Sequence, residues 1–218
     1  MAAAILDLLN SDTGKQIIAG ISKETGAPQN KTADLLNMAV PVLMGAMQRN
    51  AATPQGAASL LNAVTQKHDG SILNNIGGLF QTGSGSSLAK DGSGILGHIL
   101  GNKQTGIETA LSQKTGLDHN TVANILKVAA PIIMGVLGQQ ARQSGAKSSG
   151  DLTSILGGLL GGNSGSKQQS LIESFLDANG DGSILDDVAG MLMNSGSGQK
   201  AGGGVLGGLL GGILGGKK

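Results

Sequence analysis

The sequence contains no cysteine, no tryptophan and no tyrosine, and its aromatic side chains are Phe80 and Phe175 alone. The missing thiols exclude disulfides and thiolate metal sites. The missing aromatics leave the core to Leu, Ile, Val, Met and Ala. Each such side chain contributes roughly 1.5–3 kcal/mol when fully buried. Charge is scarce as well: 13% of residues are charged and the net charge is +1, so no basic groove for nucleic acid is expected. No apolar run approaches the ~18 residues of a membrane span. The start, Met1 to Asp7, has no basic n-region and meets an acid early. No secretory signal is expected there, and the cytoplasm is the expected location. What the chain has in excess is glycine, 39 residues of 218. That raises the entropic cost of ordering and points to a modest helical core with long mobile segments. The length allows one large or two small domains.

The chain contains itself twice, at a spacing of 90 residues. Residues 21–47 align without a gap on 111–137, with ten of 27 positions identical. Thr25-Gly26 recurs as Thr115-Gly116. Ala33, Leu36, Ala39, Pro41, Met44 and Gly45 recur as Ala123, Leu126, Ala129, Pro131, Met134 and Gly135. A duplicated helical unit usually rests on its own copy.

Residues 3–24 read as helix with a break near Ser11-Asp12-Thr13-Gly14, and Thr25-Gly26 is a helix-ending signal. Asn30 or Thr32 is expected to cap the next helix. Its apolar face runs through Leu35, Leu36, Ala39, Val42, Leu43, Ala46 and Met47. In the second copy the face is Val122, Ile125, Leu126, Ala129, Ile132, Ile133, Val136 and Leu137. Pro41 and Pro131 lie inside these helices, so a kink or a break into two helices is predicted. Gly45 and Gly135 follow four residues later and are expected to let the two copies cross closely. Residues 51–66 read as a helix with Pro54 in its first turn.

A second echo links His68-Asp69-Gly70-Ser71-Ile72-Leu73 to Gly180-Asp181-Gly182-Ser183-Ile184-Leu185, with a looser version at Asp91-Gly92-Ser93-Gly94-Ile95-Leu96. Each is expected to be a turn into a helix, its Asp or Ser accepting from first-turn amides. Residues 81–94 and 141–151 read as Gly/Ser-rich linkers. Residues 155–162 (ILGGLLGG) and 204–216 (GVLGGLLGGILGG) have a four-residue period that lines Leu and Ile on one helical face with glycines opposite.

The sharpest chemical signal is Asp177-Ala178-Asn179-Gly180-Asp181-Gly182-Ser183-Ile184, which matches the first eight positions of an EF-hand calcium loop. Oxygen ligands fall on Asp177, Asn179, Asp181 and Ser183. The twelfth position, where a bidentate acid belongs, is Val188, and the acids Asp186 and Asp187 come early; Asp187 is the candidate closing ligand. The competing reading is a metal-free turn with helix caps. The Asp69 copy has Thr65 and Lys67 at the earlier ligand positions and is not expected to bind metal. His68, His98 and His119 do not cluster in sequence. No G-x-S-x-G elbow and no phosphate loop occurs. Lys114 to Val122 superficially resembles a helix-turn-helix, but the helix after it is apolar and contains Pro131, so burial is expected rather than a DNA contact. No catalytic residue and no cofactor other than calcium is expected.

The combined pattern resembles a bacterial family of uncharacterised proteins, the domain of unknown function numbered 937. The residues that carry the likeness are Thr25-Gly26, Val40 to Gly45, Thr53 to Leu61, Asp91 to Gly101 and Ala130 to Gly135, across roughly residues 1–140. The resemblance implies a helical bacterial protein and transfers no activity and no catalytic residue.

The expectation is therefore an all-α protein of two pseudo-repeated units with Pro-kinked helices. Helical repeat 1 spans 1–80 and repeat 2 spans 95–140, joined by the 81–94 linker. A Gly/Ser-rich linker with a short apolar segment follows at 141–167, then an EF-hand-like helix-loop-helix at 168–195 and a Gly/Leu-rich tail at 196–218. The tail admits three readings: a flexible end, a helix against another copy, or a membrane-surface contact. The function expected is a non-enzymatic structural or interaction module that self-associates, with Leu206, Leu210 and Leu214 as contact residues. A calcium-responsive binding protein is the alternative, and an enzyme with a scattered site the third. The expected partner is a second copy, with no nucleic acid.

Overall fold

The computed structural model describes residues 8–80 and 83–160, and every regular element among them is helical. Helix α1 spans Asp12–Thr25, α2 Gln29–Asn50 and α3 Pro54–Asn62. A π-helical turn at Ala63–Lys67 and a 3-10 turn at Ser71–Asn75 lead into the short α4, Ile76–Leu79. Then come α5 Gly85–Leu100, α6 Gln104–Thr115, α7 His119–Gln143 and α8 Ser149–Leu160.

Local chemistry fixes most of these boundaries. The break expected near Ser11 is there: Ser11 Oγ accepts from the Gly14 amide at 3.2 Å and starts α1. Thr53 Oγ1 accepts from the Gly56 amide at 3.1 Å, with Pro54 in the first turn where its missing N–H costs nothing. Gly26 and Gly116 end α1 and α6 in the left-handed region at φ 71° and 67°, where a Cβ would be strained. The two helix ends share more than glycine. Ser22 Oγ donates to the Ala27 carbonyl at 2.6 Å, and Ser112 Oγ donates to the Leu117 carbonyl at 2.6 Å. Thr25 and Thr115 each donate to the carbonyl four residues back.

Helix α7 is the hub. Its apolar stripe is buried almost throughout, with Val122, Ile125, Leu126 and Leu137 at 0% exposure. Helix α5 lies along it over the most extended interface, and α1, α6 and α8 rest on it as well. By length and composition α7 could cross a membrane, yet 78% of its most apolar stretch is buried inside the bundle. A helix apolar around most of its circumference suits such a core position.

Five expectations give way. Of the kink or break expected at each proline, the break does not occur: α2 and α7 run on through Pro41 and Pro131, because the surrounding apolar contacts outweigh one missing hydrogen bond. Neither Asn30 nor Thr32 caps α2: Pro28 occupies that position without a side-chain bond, and Thr32 Oγ1 donates back to the Pro28 carbonyl at 3.0 Å. Residues 85–94 are not linker but the first part of α5, whose Leu88 and Leu96 are buried. Asp91-Gly92-Ser93 is accordingly helix interior rather than a turn. Helix α7 continues to Gln143, which leaves a short connection before α8.

Candidate interaction face

A further correction concerns Gly45 and Gly135. They do not let the two copies cross. A Cβ on Gly135 would stand 2.5 Å from Ile72 Cγ2, so this glycine receives the Asp-Gly-Ser-Ile-Leu turn. On Gly138 a Cβ would collide with the His68 carbonyl, and on Gly92 with the Lys127 carbonyl. Three glycines thus bring the 68–73 segment and α5 onto one face of α7. Around Gly45 no described atom lies within 4 Å of the corresponding position.

The turn is held by the chemistry its sequence promised. Asp69 Oδ1 accepts from the Ser71 amide at 3.0 Å. That bond, with a smaller contribution from Arg142, holds the carboxyl below the usual carboxylate range. Arg142 Nη1 on α7 stands 3.4 Å from Asp69 Oδ2. Gly70 takes φ 93°, and a Cβ on it would stand 2.6 Å from Gln139 Cβ, so a side chain would find neither room nor an allowed backbone. His68 Nε2 faces Asp91 Oδ2 at 3.9 Å from an almost buried imidazole. Burial lowers the His68 pKa from 6.5, against the opposing pull of Asp91.

A second polar pair sits between α6 and α7. Glu108 is buried, its Oε1 accepts from Gln104 Nε2 at 2.7 Å, and its Oε2 lies 3.4 Å from His119 Nε2. That nitrogen is buried but not aligned for a hydrogen bond. Sequence reasoning passed over Glu108. The available signal was the repeat itself, since the matching position in the first copy is Ile18. His98 is exposed on α5, and among the described residues no three His, Asp or Glu side chains gather as a metal site would require.

Helix α8 shows what an Ile-Leu-Gly segment does here. Leu152, Leu156 and Leu159 are buried against α2, α3 and α7, while Gly157 and Gly158 have open space beside them. In α5, Ile95-Leu96-Gly97-His98-Ile99-Leu100 behaves alike: Leu96 and Leu100 are buried, and Gly97 is open. The calcium-ligand candidates Asp177, Asn179, Asp181, Ser183 and Asp187 lie outside the described residues, as do the contact candidates Leu206, Leu210 and Leu214.

No curated protein and no solved structure matches the chain. The family pattern described as "Bacterial protein of unknown function (DUF937)" matches residues 7–140 and 147–218, a longer reach than the motifs of the first 140 residues alone. An all-α chain with these repeated turns and helices, matched over nearly its whole length, belongs to that bacterial family.

Proposed function

We propose that this protein is a non-enzymatic interaction module that self-associates through apolar helical faces. The observation that carries the reading is the shared behaviour of α5 and α8. Both Ile-Leu-Gly segments press their leucines onto helices and leave their glycines open. Val205-Leu206-Gly207-Gly208-Leu209-Leu210 repeats that spelling in the tail. Such a glycine-rich segment loses about 1 kcal/mol of helix stability per glycine relative to Ala. Burial of Leu206, Leu210 and Leu214 against another copy would offset that loss. Light scattering after size exclusion tests the reading. A defined oligomer for the full chain, lost in a chain ending at Ser195, is expected. A monomer at every concentration would remove it.

A second reading is calcium response by the 177–187 loop, supported by the oxygen side chains of Asp177, Asn179, Asp181 and Ser183 at alternate positions. The 177–187 loop adds Asp177 and Asn179 where the first copy has Thr65 and Lys67. Calcium taken up by Asp177, Asn179, Asp181, Ser183 and Asp187 should protect amides of that loop from hydrogen exchange, and Asp177→Ala should abolish the protection. Unchanged exchange on adding calcium rejects it.

A further inference from the structure

Residues 68–75 lie on α7 as a shallow flap. No residue of Ser71–Asn75 is buried, and Ile72 and Leu73 are half-exposed. The flanks are anchored: Val64 is buried completely and Ile76 almost so. The ionisable side chain pressed into the bundle between them is His68, with 9% of its side chain exposed. The His68 carbonyl fills the space a Cβ on Gly138 would need, and Ile72 fills the space beside Gly135. Lifting the flap gives up little apolar burial, which places it at the low-stability end of the bundle. The charges around His68 come from every side it touches. Asp91 on α5 faces Nε2 at 3.9 Å, beyond hydrogen-bond reach. Lys67 in the adjoining π-helical turn opposes a proton there. Arg142 on α7 is turned to Asp69, at 3.4 Å. Helix α3, which packs on the same turn, carries no charged side chain. Burial outweighs Asp91, so the seat favours the neutral ring.

We propose that residues 68–75 are a proton-released flap: an imidazolium at His68 lifts the turn from the Gly135–Gly138 stretch of α7 while Val64 and Ile76 stay seated. Lifting carries the charged ring into water and uncovers the two glycines with the apolar surface beside them. The seat of α5 on α7 at Gly92 is separate and stays closed. A free imidazole titrates near 6.5 and the seated one lower. The lifted state therefore gains population as pH falls below 6.5, by up to about tenfold per pH unit until the seated ring also takes the proton. This device does not depend on self-association.

Hydrogen exchange of the full chain, resolved by residue and corrected for intrinsic rates, tests it at about pH 7.5 and about pH 5.5. The reporters are the His68 amide, bonded to the Ala63 carbonyl at 2.9 Å, and the Leu73 amide, bonded to the Gly70 carbonyl at 3.0 Å. Both should be less protected than amides inside α7 at either pH. Their protection should fall by up to about tenfold at the lower pH. His68→Gln should abolish that fall. Asp91→Asn removes the one attraction for the imidazolium, so it should enlarge the fall and leave protection at neutral pH unchanged. Its carboxylate is half-exposed, so this variant keeps the fold. Flap amides as protected as those inside α7 at both pH values overturn the flap. A His68→Gln protein that keeps the parent's response to pH overturns the trigger, as does an Asp91→Asn protein without the enlarged fall.

Discussion

Gly92 on α5 and the carbonyl of Lys127 on α7 meet backbone to backbone, with no room for a methyl group between them. Gly94 and Gly97 lie on the same helix with open space beside them. Gly92→Ala should therefore destabilise the fold by about 1–3 kcal/mol through overpacking. Gly97→Ala should stabilise it by about 0.5–1 kcal/mol through helix propensity alone. Thermal melts of the two variants should move in opposite directions.

The paired serines give a matched experiment. Ser22→Ala and Ser112→Ala each remove a 2.6 Å bond to a carbonyl beyond a helix end. A loss of about 1 kcal/mol is expected at each site. The larger loss belongs to Ser22, which is buried, whereas Ser112 is half-buried. Urea titrations with unchanged slope would measure both.

His68 sets a pH dependence. Its folded-state pKa lies below 6.5, so the unfolded chain binds the proton more tightly. Its contribution is fully present above pH 6.5 and is lost as pH falls from there through the lower folded value. Stability measured by urea titration should decline across that window, and His68→Gln should flatten the decline. An unchanged slope in the variant would reject the assignment.

Glu108 and His119 stand where the first copy has Ile18 and Gln29. A buried carboxylate carries a desolvation cost that an apolar side chain avoids. The double variant Glu108→Ile/His119→Gln should keep the fold and remain within about 1 kcal/mol of the parent. Glu108→Ala alone should lose about 1–3 kcal/mol, since it leaves the Gln104 amide without its acceptor and opens space in the interior. Chemical denaturation separates the two outcomes.

Helix existence, helix ends and the buried stripes were legible in the sequence because they depend on neighbours within a turn or two. The period of Leu, Ile and Val marked the inner faces of α2 and α7. Thr25-Gly26 and its copy Thr115-Gly116 marked ends, and Ser11 to Gly14 marked a break, through bonds and backbone angles that reach only a few residues. Local reading failed at glycine-rich stretches. Residues 85–94 look like linker by composition, yet Leu88 and Leu96 anchor them as helix on α7.

Only the tertiary structure decided which glycines matter, and for what. Gly45 and Gly135 are identical in the repeat, but one faces open space and the other Ile72. Room for a Cβ is set by whichever segment arrives from elsewhere in the chain, and no local pattern encodes that arrival. Burial of Glu108 was decided in the same way, by the closure of α6 on α7. The sequence alone determined that the chain is helical and duplicated, since periodicity and repetition are properties of the chain itself. Which face of each copy is covered is a property of the assembled bundle.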